Sequence, residues 1–165
     1  MWPMTYLPHY TLVEEGGASP ESTVMILHGI LGSGRNWRSF ARSIAEHTPG
    51  WRFLLVDLRG HGESHGAPPP HTLDSCAEDL HALSESLGIT PRAVWAHSFG
   101  GKVALRYAQN HAENLAQVWV LDTPFYASKT IRVPRVWGVG KLLRLLERCP
   151  MPVPNREDAL TPLRE

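Results

Sequence analysis

Four short apolar runs punctuate the first three quarters of this chain: Thr23-Val24-Met25-Ile26-Leu27, Arg52-Phe53-Leu54-Leu55-Val56-Asp57, Ala93-Val94-Trp95-Ala96 and Gln117-Val118-Trp119-Val120-Leu121-Asp122. Each is continuous rather than alternating, too short for a helix and partly β-branched, which is the pattern of a strand buried on both faces. The segments between them carry helical periodicity. Strands joined by connections of that length pair in parallel through right-handed crossovers, with helices on both faces of the sheet. The expected architecture is therefore α/β, a doubly wound and mostly parallel sheet.

The helical segments are delimited by their own chemistry. Trp37, Phe40, Ala41, Ile44 and Ala45 recur at helical spacing until Pro49-Gly50 interrupts them. After a loop that runs through Pro68-Pro69-Pro70, Leu73, Cys76, Ala77, Leu80, Leu83 and Leu87 trace one helical face. Thr72 or Ser75 is its candidate N-cap and Gly88 its stop. Val103, Ala104, Tyr107 and Ala108 mark the inner face of a third helix. Beyond Pro124, Val139, Leu142, Leu143 and Leu146 form an apolar stripe, with Lys141, Arg144 and Arg148 on another face. That pattern predicts an amphipathic helix, either a cap over a site or a surface helix against the sheet. The chain divides into an N-terminal segment at 1–22, a core of sheet and helices at 23–124, and the start of a cap region at 125–165.

Composition narrows the partners. The 165 residues suit one domain, and with 42% hydrophobic and 19% charged residues the chain can bury a core. A formal net charge of zero leaves no electrostatic footprint for nucleic acid. The two cysteines, Cys76 and Cys149, have no neighbours at metal-ligand spacing and cannot form a disulfide framework. His61-Gly62-Glu63-Ser64-His65 lacks the helical spacing of a zinc motif, so no metal is expected. Gly32-Ser33-Gly34 is followed by no Gly-Lys-Ser/Thr, and Trp37 stands where a dinucleotide fingerprint needs its third glycine, so no nucleotide cofactor is expected either. No apolar run is long enough to span a bilayer, and Met1 to Tyr6 lacks the blocks of a signal peptide. An intracellular, cytoplasmic location is expected, or a plastid or mitochondrion should an upstream transit peptide be missing. Nothing in the pattern specifies an oligomeric state.

The chemistry concentrates at Val94-Trp95-Ala96-His97-Ser98-Phe99-Gly100-Gly101, where an apolar run stops at a serine and a helix pattern starts directly behind it. A sharp strand-to-helix turn lifts a serine hydroxyl clear of its neighbours, and it needs small residues two before and two after. Ala96 and Gly100 occupy those places. In a parallel sheet, sites form at the carboxyl ends of strands. His28-Gly29, Asp57, Ser98 and Asp122 all fall there.

Three segments together resemble the α/β-hydrolase superfamily: His28-Gly29-Ile30-Leu31-Gly32-Ser33, Asp57-Leu58-Arg59-Gly60-His61-Gly62-Glu63-Ser64, and Ala96-His97-Ser98-Phe99-Gly100-Gly101-Lys102. Their order and spacing match the family's oxyanion loop, its D-x-R-G-x-G-x-S turn and its nucleophile elbow. In detail they are similar to the small esterase-like hydrolases of plants and algae, kin to a mitochondrial esterase branch in animals. The resemblance implies that Ser98 attacks the carbonyl of a small-molecule acyl ester, passing through a tetrahedral oxyanion to an acyl-enzyme. It implies that the backbone N–H of Phe99 is one oxyanion donor and that of Ile30 the second, with Leu31 the alternative. Asp57 and Arg59 are expected to tie loops together rather than touch substrate.

The same resemblance sets the chain order as Ser, then acid, then His. Asp122 is the candidate acid, and its other reading is a polar strand end bonded to loop backbone. Of nine histidines only His111 follows Ser98, thirteen positions on and near the far end of the helix, roughly 20 Å away at 1.5 Å per residue. His28 and His97 read as a loop-positioning and a flanking residue. The expectation is a C-terminally truncated hydrolase that lacks the family's last strands and helices, and with them its general base, so that its activity is weak or lost. The contrasting reading is a non-catalytic ligand-binding or scaffold protein on the same fold.

Overall fold

The computed structural model describes residues 6–15 and 20–123. The expected amphipathic helix after Pro124, and the cap region with it, lies outside the described residues.

Within them, five strands form one sheet in the order β1-β3-β2-β4-β5. These are β1 (Tyr10–Glu14), β2 (Ser22–Leu27), β3 (Trp51–Val56), β4 (Pro91–His97) and β5 (Gln117–Leu121). The helices are α1 (Arg38–Ala45), entered through a 3-10 turn at Gly34–Trp37, α2 (Leu73–Leu87) and α3 (Phe99–Asn110). The four predicted strands are β2 to β5, each within two residues of its expected limits, and they pair in parallel. The sequence reading placed no strand in the N-terminal segment, whereas β1 pairs antiparallel to β3, from Tyr10 against Val56 to Glu14 against Arg52. Only Val13 of its five residues is buried.

Side chains of a strand point alternately to opposite faces, so a sheet covered on both sides must sort its apolar residues by parity. It does. Met25, Leu27, Leu54, Val56, Val94 and Ala96 meet Ala77, Leu80 and Leu83 of α2 and Val103, Ala104 and Tyr107 of α3 in one core. Val24, Ile26, Phe53, Leu55 and Ala93 meet Ala41 and Ala45 of α1 in another. Thr72 is the N-cap of α2, its hydroxyl accepting the Ser75 N–H at 3.1 Å, and Gly88 closes the helix in the left-handed region at φ 61°. A side chain there would cost strain, which is why glycine ends so many helices.

Candidate active site

Three loops meet at the carboxyl end of the sheet. The first follows β2. His28 is 1% exposed, and its two ring nitrogens are both engaged, Nδ1 with the Gly29 carbonyl at 2.7 Å and Nε2 with the Leu58 N–H at 3.0 Å. These partners fix a neutral imidazole with its proton on Nδ1. Burial lowers its pKa, in keeping with the neutral form. Behind it, the Gly32 N–H closes a turn onto the Gly29 carbonyl at 3.0 Å with Leu31 at φ 63°. The turn leaves Ile30 and Leu31 exposed beside a cleft of about 440 Å³ that His97, Asn36 and Trp37 also border.

The second loop follows β3 and is organised by Asp57. One carboxylate oxygen accepts the Gly34 N–H at 2.6 Å, and the other accepts the Glu63 N–H at 2.9 Å and faces His9 Nδ1 at 3.1 Å. Burial works against the charge, but these hydrogen bonds outweigh it and the carboxyl stays below the ordinary aspartate value. Ser64 Oγ donates to the Asp57 carbonyl at 2.7 Å. Arg59 makes a two-pronged pair with Asp79, both contacts at 2.7 Å, and its remaining arm reaches the carbonyls of Pro68 and Pro70. Asp57 and Arg59 tie loops, as expected.

The third loop is the turn from β4 into α3. Ser98 sits at φ 51° and ψ −115°, a backbone state that non-glycine residues seldom occupy and that costs of order 1–3 kcal/mol. Several contacts hold it there. Its N–H donates to the Leu121 carbonyl at 2.9 Å, and its carbonyl accepts from Gly101 N–H at 3.0 Å and from Thr123 Oγ1 at 2.9 Å. The small residues are there for close approach. A Cβ on Gly100 would stand 2.5 Å from the His28 carbonyl, and one on Gly101 would collide with the Thr123 hydroxyl. A Cβ on Gly29 would lie 3.2 Å from Ser98 Cβ, so the His28-Gly29 loop rests directly against the serine. Phe99 opens α3, and its N–H follows the hydroxyl in the chain.

Asp122 stands at the end of β5, exposed, at φ 47°. It is next to the residue that tethers Ser98, yet among the described residues its carboxylate has no hydrogen-bond partner. Besides His28, five of the nine histidines are engaged elsewhere. His9 serves Asp57, His47 the Ser43 carbonyl, His61 the Arg59 carbonyl, and His111 pairs with Glu78 at 3.1 Å while stacking on His81 with ring centres 4.0 Å apart. No hydrogen bond from any of them reaches Ser98. Sequence reasoning missed the tethers, Thr123 above all. The Gly100-Gly101 pair was the available signal, since a second adjacent glycine marks a second close approach.

The chain belongs to the α/β-hydrolase fold family, whose model matches residues 22–145. It is 33% identical over 113 residues to the sn-1-specific diacylglycerol lipase ABHD11 of Mus musculus, covering 68% of this chain and 36% of that one. It is 36% identical over 110 residues to the lipase LipV of Mycobacterium tuberculosis, covering 67% and 40% respectively. A marine microorganism esterase of known structure superposes with a TM-score of 0.77 at 27% identity, over 97% of this chain and 58% of its own. The chain thus spans about two fifths of the length of those two curated relatives. No described helix is long and apolar enough to cross a membrane.

Proposed function

We propose that Ser98 is the nucleophile of a serine hydrolase acting on carboxylic esters or related acyl compounds. The observation that carries this reading is the strained left-handed backbone of Ser98 at the β4–α3 turn, held by Leu121 and Thr123 against the His28-Gly29 loop. Strain of this kind is retained where function demands it. Attack by Oγ on an acyl carbonyl would place the new oxyanion between the N–H groups of Phe99 and Ile30, with Leu31 as the alternative donor. Each donor is worth about 3 kcal/mol of transition-state stabilisation. Asp122 is the proposed acid of the triad. The lipase and esterase relatives support acyl esters as the substrate class.

The chain's own general base is the weak point. His111 lies at the far end of α3, whose 12 residues extend about 18 Å, and it is engaged with Glu78. Acylation needs an acceptor for the Oγ proton just as deacylation needs one to activate water, so with solvent or buffer taking that proton both steps are slow, keeping about the 10³–10⁴-fold advantage over water that an oxyanion hole supplies without its triad. The test is intact-mass spectrometry after incubation with 4-nitrophenyl hexanoate, whose leaving group departs without a proton donor. An adduct on Ser98 that persists, and that Ser98→Ala abolishes, is expected. Rapid Ser98-dependent turnover would show that a base is present after all. Absence of any adduct on a folded protein would favour the ligand-binding reading, which is supported by the lack of any hydrogen bond from the Ser98 hydroxyl to a histidine among the described residues.

A further inference from the structure

A second cavity, of about 410 Å³, lies against Phe99, between the loop after β3 and the first turn of α2. Gly60, His61, Leu73, Cys76 and Phe99 line it together with the polar Arg59, His71 and Thr72, and its exposed lining is mostly apolar. We propose that this slot is the acyl-chain site of the esterase reading above, on which it rests, and that the acyl group it takes is an apolar chain of several carbons.

Four observations carry the assignment. Phe99 contributes to both places at once, since its backbone N–H follows Ser98 and its side chain forms a wall of the slot. A carbonyl held at that N–H therefore has the slot within reach of its substituent. The His61 ring lies nearly parallel to Phe99, with centres 6.2 Å apart and planes at 24°, and its Nδ1 is taken by the Arg59 carbonyl, so it offers the slot a flat face. Arg59 borders the slot but not as an anion receptor. Four of its five N–H donors are committed to Asp79, Pro68 and Pro70, and its charge is matched by Asp79. Cys76 is 4% exposed, and burial raises its thiol pKa, so it presents a neutral sulfur of hydrocarbon-like polarity.

The cleft beside the Gly29–Gly32 turn is more polar than the slot. His97 and Asn36 give it polar edges beside the apolar Ile30, Leu31 and Trp37, and those edges suit a leaving alcohol and an incoming water. The group that stays on the enzyme through both half-reactions then lies in the apolar slot, and the groups that exchange use the polar cleft. At about 300–1,000 Å³, ligand sites bury most of a small molecule, and the slot falls in that range.

Cys76 supplies a reporter that needs no catalysis. In a Ser98→Ala, Cys149→Ser variant, modification of Cys76 by methyl methanethiosulfonate at a pH of about 9.5, above the ordinary thiol value, is followed by mass spectrometry. Methyl hexanoate is expected to slow that reaction at least about fivefold, and methyl acetate, shorter by four methylenes, to leave it nearly unchanged. An unchanged rate with methyl hexanoate overturns the proposal. In the chain with Ser98 intact, Leu73→Trp narrows the slot. It is expected to reduce adduct formation from 4-nitrophenyl hexanoate about tenfold or more while leaving the acetate within about twofold. Equal loss for both esters on a folded protein overturns the proposal. Protection of Cys76 without any Ser98 adduct would overturn the nucleophile reading and leave the slot standing as an apolar binding site.

Discussion

Strands β2 and β5 are both apolar and both lie in the same sheet, yet they do opposite jobs. Val24 to Leu27 of β2 are at most 1% exposed, with a helix over each face and a paired strand along each edge. In β5 the residues alternate between exposed and half-buried, Trp119 is 53% exposed and Leu121 39%, and among the described residues β4 is the strand's sole partner. The interior strand is where the fold gains its stability. β5, the outer strand among the described residues, holds the strained serine through the Leu121 carbonyl, and Thr123 just beyond it adds its hydroxyl. Among the described residues, support for the candidate site is thus drawn from one of the least covered strands of the sheet.

That contrast is open to a direct attack by truncation. Phe53, on β3 beside β2 and 1% exposed, should cost about 3–5 kcal/mol when changed to alanine, because burial is lost and a cavity remains. Trp119→Ala removes a larger ring from a half-open face and should cost less than about 1 kcal/mol. Urea denaturation midpoints of the two variants measure the difference directly. Equal costs would mean that β5 is covered as fully as the interior.

How much of this could be read from the chain follows the same division. β2 to β5 and the three helices were legible because burial on two faces writes continuous apolar runs, and because Thr72, one of two candidate N-caps, and Gly88 carry helix-end chemistry. β1 was not legible, since a five-residue edge strand with a single buried side chain leaves almost no hydrophobic pattern. At the site, Ser98 and its glycine neighbours were marked by the demand for close backbone approach. Thr123 was not, because a hydroxyl that bonds a carbonyl 25 residues away leaves no local periodicity. Asp122 was chosen for its place at a strand end, and the structure gives its carboxylate no partner among the described residues that would have been written into a pattern.

The two sides of the site also differ in what binds them. The loops after β2 and β3 are joined through a charged group, Asp57, whereas the serine is joined to β5 through neutral hydrogen bonds. A carboxyl held below its ordinary pKa stabilises the fold fully above about pH 4, the unfolded aspartate value, and its contribution is lost as pH falls through the lower folded value. Acid should therefore loosen the loop side first. Asp57→Asn should cost about 1–3 kcal/mol at neutral pH by setting an amide N–H₂ against a backbone donor. It should also flatten the acid limb of the stability profile below about pH 4. Thermal melts of both proteins from pH 2 to 7 check this, and parallel acid limbs would remove Asp57 from its organising role.

The tether to β5 permits the finest cut. Thr123→Val keeps the shape of the side chain and the packing against Gly101 while deleting the hydroxyl that reaches the Ser98 carbonyl at 2.9 Å. A neutral hydrogen bond of this kind contributes about 1 kcal/mol, so global stability should fall only slightly. The effect should instead appear at Ser98. Its backbone strain, of order 1–3 kcal/mol, is comparable to the bond removed, so the turn can relax toward an unstrained conformation and carry the hydroxyl away from the Phe99 N–H. Acyl adduct formation on Ser98 should then slow several-fold more than the loss of stability accounts for. Thr123→Ser, which keeps the hydroxyl, should restore it. If valine and serine behave alike, the strain is held by the Leu121 carbonyl and the glycine contacts alone, and β5 matters to the serine only through its backbone.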